Sequence, residues 1–170
     1  MTRLIATTAE ARGAADGTLT EIRRALDPQP HASTTLVVWN TANKAFVPWD
    51  WLSGVGSYSG GRRTGEPILP PLGQPGAVIE VAEEYAREDC GAEDGERLIW
   101  RADRAAAWHE CPSFLGKPFY MDADYKPDAE WQPADTTPPW AVRSRVRITA
   151  VRVERAGEIW EWVYGVENVL

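Results

Sequence analysis

Residues 144–155, SRVRITAVRVER, give the strongest indication of the fold. Val146, Ile148 and Ala150 recur at every second position, which is the period of a β-strand with one buried face. The apolar positions then move by one residue, beginning at Val151, as they do where a bulge or a sharp bend interrupts a long strand. The stretch therefore predicts a long, bent strand that packs one face in the core.

Four other segments have a strand pattern. Alternating apolar residues, or runs of β-branched and aromatic residues, predict strands at residues 34–39, 77–85, 97–103 and 158–170. One face of the last segment carries Trp160, Trp162, Tyr164 and Val166. We therefore predict about five or six strands.

One short helix precedes these strands. Thr7 and Glu10 have the spacing of a capping box, and Gly17 suits the left-handed residue that often ends a helix. These signals predict a helix over residues 8–16. Its small apolar face, which suits close packing on a sheet, carries Ala11, Ala14 and Ala15.

Together these elements predict a mainly β domain of the α+β kind, a small antiparallel β-barrel with one or more short helices and long loops. The chain of 170 residues has the size of one domain, so we expect a single domain over residues 1–170. Residues 53–75, rich in glycine, proline and serine, predict a long surface loop. Residues 104–139 contain many prolines and predict irregular structure.

Composition restricts the partners. A net charge of −7 is unsuited to a protein that holds a long nucleic acid mainly through its phosphates. No apolar run reaches the ~20 residues of a membrane span, and the N-terminal residues lack the pattern of a signal peptide. We therefore expect a cytoplasmic protein with no membrane partner.

The cysteines and histidines predict no metal site. Cys90 and Cys111 are the only cysteines, and His109 lies two residues before Cys111. Their spacing matches no zinc-binding pattern, and a structural zinc ion usually takes four ligands. We expect neither a metal nor a cofactor. A nucleophilic cysteine with a histidine base has no support beyond the presence of both residue types.

One acidic residue falls on the inward face of the strand predicted at residues 77–85. The alternation that begins at Ile79 and Val81 continues to Glu83 and Tyr85. An unpaired buried carboxylate is costly, so Glu83 needs a partner, most simply an arginine.

Five motifs, taken in order, resemble the ASCH-like proteins of bacteriophages and prophages, which are members of the PUA-like superfamily. The motifs are DGTLTEIRRALDPQP at 16–30, GQPGAVIEVAEEYA at 73–86, LIWRAD at 98–103, PPWAVRSRVRITAVRVER at 138–155 and WEWVYGVENV at 160–169. The resemblance depends on their order and spacing and covers nearly the whole chain.

The resemblance implies a PUA-like barrel with a cleft beside the first helix, and a relationship to domains that bind RNA or single modified bases. It implies that Arg23 and Arg24 leave the helix and reach this cleft. A carboxylate, guanidinium groups and aromatic faces would suit a nucleobase or a nucleotide there. The implied ligand-binding residues are Thr20, Arg23, Arg24, Glu83, Tyr85, Trp140 and Arg143. The alternative is that Arg23, Glu83 and Arg143 form only a buried ion network.

The chain departs from the family pattern where catalysis is expected. In a bacterial relative that hydrolyses acetylated cytidine, a lysine and the second threonine of the first motif are thought to act together with a glutamate. Those two positions are Leu19 and Ile22 here. Aliphatic side chains neither activate a nucleophile nor donate a proton. Thr20 remains, but it matches the first, non-catalytic threonine.

Three functions stay open at this point. The first is a binding module that recognises a nucleobase, a nucleotide or a short single-stranded RNA or DNA element. The second is an enzyme on modified nucleosides or RNA, amidohydrolase-like or ribonuclease-like, with Glu83 or Glu84 as its base. The third is an interaction module that contacts a phage or host protein, with Trp49 and Trp51 as its exposed pair.

Overall fold

The computed structural model describes residues 2–51, 61–89, 96–103, 105–109, 119–120, 127 and 130–169. The strands are β1 (Thr2–Ile5), β2 (Glu21–Ala25), β3 (Leu36–Asn40), β4 (Ala45–Trp51), β5 (Gly61–Arg63), β6 (Val78–Ala82), β7 (Tyr85–Asp89), β8 (Glu96–Trp100), β9 (Ala105–His109), β10 (Phe119–Tyr120), β11 (Ser144–Ala156) and β12 (Ile159–Asn168). The helix α1 spans Thr8–Asp16, and 3-10 helices span Ala134–Thr136 and Pro139–Ala141. The mainly β class is confirmed, with more strands than the five or six predicted.

The chain forms two compact units. The first unit contains Met1–Leu19, Val78–Val146 and Asn168–Leu170, and the second contains Thr20–Ala77 and Arg147–Glu167. Strand β11 therefore gives its first three residues to the first unit and the rest to the second. A single domain over residues 1–170 stays a prediction.

The first unit contains α1 and two groups of strands. β1 pairs in parallel with β6, and β6 neighbours β11. A separate antiparallel sheet has the order β10-β9-β8-β7. Leu4, Ile79 and Val81 are almost completely buried, because the alternating apolar face of β1 and β6 turns into the core.

The second unit is built on β12. This strand lies between β11 and β2 and runs antiparallel to β2, while β3, β4 and β5 form an antiparallel sheet in that order. Phe46 of β4 packs edge-on against Trp162 of β12, with ring centroids 5.1 Å apart. The predicted inward face of the last strand is confirmed, since Trp160, Trp162, Tyr164 and Val166 are all buried.

Strand β11 changes its buried face in the predicted region. Val146 and Ile148 are buried, Thr149 and Ala150 are both exposed, and Val151 is half-buried. Ala150 was predicted to face inward and does not, because the change of face comes just before it. A Cβ atom on Gly165 would lie 3.0 Å from the Thr149 hydroxyl oxygen, so a glycine allows the close approach at this point.

Three other predictions need correction. The sheets of the described part of the chain are not closed into a barrel. Residues 77–85, predicted as one strand, form β6 and the start of β7, although Glu83 and Tyr85 are buried as predicted. The regions predicted to be irregular contain β5, β9 and β10. Within the predicted loop, residues 53–60 lie outside the described residues.

The helix α1 has the predicted bounds and caps. The Thr7 hydroxyl accepts a hydrogen bond from the Glu10 amide, a Glu10 carboxylate oxygen accepts one from the Thr7 amide, and Gly17 has a φ of 80°. Ala11 and Ala14 are buried, whereas Ala15 is exposed rather than packed as predicted. No helix in the described ranges is both long and apolar enough to cross a membrane.

Replacing Thr7 with alanine is expected to lower the free energy of unfolding by about 1 kcal/mol, because the first turn of α1 loses its capping oxygen. Urea unfolding followed by circular dichroism measures the change. The matched control is Thr8→Ala, one residue into the helix, which keeps the cap and should change stability little. An equal loss in both variants would contradict a capping role for Thr7.

Candidate ligand-binding site

Arg143 holds two carboxylates in the first unit. Its Nε and Nη2 donate to the two oxygens of Glu83 at 2.8 and 3.0 Å. Its Nη1 and Nη2 donate to the two oxygens of Asp103, both at 2.9 Å. These bonds use four of the five N–H donors of the guanidinium and fix its plane. The arginine partner that the sequence required for Glu83 is therefore Arg143.

An aromatic ring lies against this cluster. The Arg143 guanidinium carbon lies 4.7 Å from the centre of the Trp100 ring, which is cation–π distance. Trp100 donates its indole N–H to the Ala141 carbonyl at 3.2 Å. Tyr85 belongs to the same buried cluster and donates its hydroxyl to the Thr136 carbonyl. Trp100 therefore covers one side of the Arg143 guanidinium, and Tyr85 belongs to the buried group that contains Trp100.

Burial changes the electrostatics of the pair. Burial raises the pKa of the Glu83 carboxyl above 4.5; the hydrogen bonds and charge of Arg143 oppose this rise, and the Asp103 charge adds to it. Burial acts to lower the pKa of the Arg143 guanidinium, but the hydrogen bonds to Glu83 and Asp103 outweigh it, so that pKa is raised. Arg143 is therefore held in its charged form between the two carboxylates.

A cavity of about 360 Å³ lies beside α1 in the first unit. Ala14 and Ala15 of α1 form one wall, residues 142–145 form another, and Asn168 and Val169 complete the lining. The small side chains of the helix leave this space open. Arg143 thus belongs both to the ion cluster and to the cavity wall.

Asn168 is the most informative polar residue of this cavity. Its Nδ2 donates to the Ala14 carbonyl at 2.6 Å. Its Oδ1 is buried and has no hydrogen-bond partner within the described residues. A buried acceptor without a partner is costly in a folded protein, so a ligand donor that reached this atom would remove that cost. Ser144 and Arg145 add a hydroxyl and a second guanidinium to the lining.

Arg23, a predicted ligand-binding residue, belongs to the second unit and forms a surface ion network. It lies on β2, which follows the end of α1, and that Arg23 and Arg24 reach a cleft beside the helix stays a prediction. Arg23 pairs with Glu21 at 2.8 Å, Glu154 at 3.0 Å and Glu161 at 3.4 Å. Glu21 is on β2 itself, whereas Glu154 and Glu161 come from β11 and β12 of the same sheet.

Arg24 and Thr20 also belong to the second unit. Arg24 donates to the Arg23 carbonyl at 2.6 Å, and its charge acts to lower the pKa of Tyr164, which burial nevertheless raises to about 12. Thr20 is exposed, and its carbonyl accepts from the Val166 amide. Ile22 is completely buried and contributes to the core.

The remaining predicted residues are in the first unit. Glu84 pairs with Arg101 at 2.6 Å, and the Arg101 guanidinium lies over Trp131 at 5.8 Å from its ring centre. Trp140 is 44% exposed on the 3-10 helix Pro139–Ala141. Glu84 and Trp140 therefore face solvent more than Glu83 and Tyr85 do.

Sequence reasoning missed Asp103, Trp100, Ser144, Arg145 and Asn168 as members of the site. The motif LIWRAD contains Trp100 and Asp103, and the buried charge of Glu83 and Arg143 could have suggested a second carboxylate. No sequence signal connects Asn168 to Ala14, which are 154 residues apart.

The ionisable residues of the described ranges include no group of three histidine, cysteine or carboxylate side chains placed to hold a metal. Cys90 and Cys111 lie outside the described residues, as does the side chain of His109. Of the predicted exposed tryptophan pair, the side chain of Trp51 also lies outside the described residues, and Trp49 is half-buried.

Comparison of the chain with protein-family models, with curated proteins and with solved structures returned no match.

Proposed function

We propose that this chain is a cytoplasmic ASCH-like binding protein of the PUA-like class that holds one nucleobase or nucleoside in the cavity beside α1. The observation that carries the proposal is the buried, unpartnered Oδ1 of Asn168, on a residue that lines a 360 Å³ cavity. That volume is typical of small-molecule sites. The order of the sequence motifs supports the phage or prophage family as part of the same proposal.

The chemistry of the lining suits a nucleobase edge. The Asn168 oxygen accepts from an amino or ring N–H group, and Arg145 donates to a carbonyl oxygen. Ala14, Ala15 and Val142 offer small apolar surfaces to the flat faces of a base. Arg143, fixed by two carboxylates, gives this wall a constant shape. A donor and an acceptor in the lining of one cavity match the hydrogen-bonding edge of a base.

Charge favours a small ligand over a nucleic-acid strand. The first unit has ten lysines and arginines against seventeen carboxylates, a difference of −7, whereas the second unit has eight of each. The whole net charge of the protein therefore lies in the unit that carries the cavity. A polyphosphate backbone would be repelled there, but an uncharged base would not.

Binding is favoured over catalysis by the state of the two candidate bases. Burial raises the pKa of Glu83, as a general base requires, but both of its oxygens already accept hydrogen bonds from Arg143. Glu84 is paired with Arg101 at the surface. Neither carboxylate is poised to take a proton from a substrate.

A thermal-shift screen with free nucleobases, nucleosides and their acetylated and methylated forms tests this function. We expect at least one compound to raise the melting temperature, since a ligand at 100 times its dissociation constant stabilises the folded state by about 2.7 kcal/mol. Calorimetric titration then measures its affinity. Arg145→Gln is expected to weaken binding about tenfold, because the site loses a charged donor.

Arg147→Gln is the matched control. Arg145 and Arg147 lie on the same strand, are 51% and 48% exposed, and each makes a surface ion pair, with Glu80 and Glu167 respectively. Only Arg145 lines the cavity. The control should bind as the wild type does. Silence across the panel, or equal weakening in the two variants, would refute the proposed site.

A further inference from the structure

Strand β3 is an edge of its sheet, because β4 is its one neighbour among the strands that the structure describes. The pairs between these two strands include Trp39 with Phe46 and Val37 with Pro48. In an antiparallel pair, the N–H and C=O groups of one residue point to the same side of the strand, and that side alternates along the chain. The bonds that β4 makes on its far side therefore show which groups of β3 face outward.

Two residues of β4 use their backbone groups on the side away from β3. The Phe46 N–H donates to the Ile68 carbonyl at 2.9 Å, and the Phe46 C=O accepts from the Ile68 amide at 2.8 Å. Pro48 has no N–H, and its C=O accepts from the Thr64 amide at 3.0 Å. Phe46 and Pro48 are therefore the positions of β4 that are not hydrogen-bonded to β3.

Val37 and Trp39, which lie opposite those positions, consequently turn their own backbone N–H and C=O groups to the outer side of β3. These groups have no hydrogen-bond partner within the described residues. Unpaired backbone groups along an edge strand are a template for pairing with a further strand. The outer side of β3 thus offers a donor and an acceptor at each of two alternate residues.

The side chains of β3 do not block this edge. The sequence of the strand, LVVWN, contains no charged residue and no proline, and Leu36 and Trp39 are each 41% exposed. The opposite edge of the same sheet is β5, which has only three residues and carries Arg62 and Arg63. Charged side chains and short length are ways in which proteins prevent pairing at a sheet edge. One edge of this sheet has these protections, and β3 lacks both the charge and the proline that would protect it.

We propose that β3 pairs antiparallel with the β3 strand of a second copy of this chain, about a two-fold axis at Val38. This register places Val37 of each copy opposite Trp39 of the other. The outward groups of both residues are then satisfied, by two hydrogen bonds in each of the two pairs. A second copy fits because the outward residues are spaced symmetrically about Val38, as an isologous interface requires.

Side chains and charge are compatible with this pairing. The register twice sets an aromatic ring beside a β-branched side chain, which is a favourable cross-strand pair. The second unit, which contains β3, has eight lysines and arginines and eight carboxylates, so it has no net charge to oppose the approach of a copy. No residue of β3 lines the cavity beside α1, so the pairing is independent of the proposed nucleobase binding.

Sedimentation velocity over about a hundredfold range of protein concentration tests the pairing. We expect the wild type to pass from monomer to dimer as its concentration rises. Val38→Lys should weaken dimerisation at least about tenfold, because the two introduced ammonium groups would face each other across the axis. Val38→Glu should do the same with two carboxylates. An equimolar mixture of the two variants should dimerise again, a recovery that variants unable to fold would not show.

Leu36→Lys is the matched control. It adds the same charge to the same face of the same strand, but opposite Asn40 of the second copy and away from the axis. It should therefore dimerise much more strongly than Val38→Lys. A wild type that stays monomeric over the whole range would overturn the proposal and leave this edge to a strand of another protein. Equal weakening by Leu36→Lys and Val38→Lys, or a mixture that stays monomeric, would overturn it as well.

Discussion

Replacing Arg143 with methionine is expected to lower the free energy of unfolding by about 3–5 kcal/mol. The change leaves the Glu83 and Asp103 carboxylates facing each other without a counter-charge, and Glu83 is only 3% exposed. It also removes four hydrogen bonds and the cation–π contact with Trp100. Urea unfolding measures the loss.

The loss should depend on pH. Burial raises the pKa of Glu83 above 4.5 in the folded protein. The stability that the folded state gains by holding this proton is therefore present below pH 4.5, and it is lost as the pH rises through the pKa of Glu83 in the folded state. Without Arg143 that pKa rises further. We therefore expect Arg143→Met to be more destabilising at pH 8 than at pH 5.

Two further variants make this prediction specific. Arg147→Met, which breaks an exposed pair with Glu167, should cost no more than about 1 kcal/mol. Adding Glu83→Gln to Arg143→Met should recover part of the loss, because one of the unpaired charges is gone. A loss for Arg143→Met that is no larger than that of Arg147→Met would mean that the buried cluster is not what stabilises this region.

Trp162→Ala is expected to cost about 3–5 kcal/mol, the range for removing a buried tryptophan. Trp162 is 3% exposed, packs edge-on against Phe46 at 5.1 Å and lies beside Tyr164 on the same face of β12. Alanine would leave a large cavity between the two sheets of the second unit. Thermal and urea unfolding should both show the loss, with the melting temperature falling by at least several degrees.

The comparison for this variant is Trp140→Ala, which removes the same side chain from an exposed position. Its cost should stay near or below about 1 kcal/mol, because folding removes only part of the Trp140 indole surface from water. If the two tryptophan variants were equally stable, the aromatic cluster of Phe46, Trp162 and Tyr164 would not be the centre of the core.

The sequence was most informative where the signal is local. The caps at Thr7 and Gly17 set the bounds of α1, because each end of a helix is decided by a few neighbouring residues. Alternation placed Glu83 in the interior, and the cost of a buried charge required its arginine. These inferences need only the period of a strand and electrostatics.

Long-range contacts could not be predicted in the same way. Arg23 meets Glu154 and Glu161, more than 130 residues away, because β2, β11 and β12 are neighbours in one sheet. Sequence spacing carries no information on such register. The short strands β9 and β10 lack a clear alternation and were predicted as irregular chain.

The proposed ligand cavity is assembled from parts of the chain that are made at very different times. Asn168 follows Ala14 by 154 residues, a delay of roughly 8 to 30 s at ordinary rates of translation. Throughout this interval α1, only nine residues long, has too few hydrogen bonds to persist alone. A nascent chain therefore lacks the proposed ligand cavity until Asn168 has been synthesised.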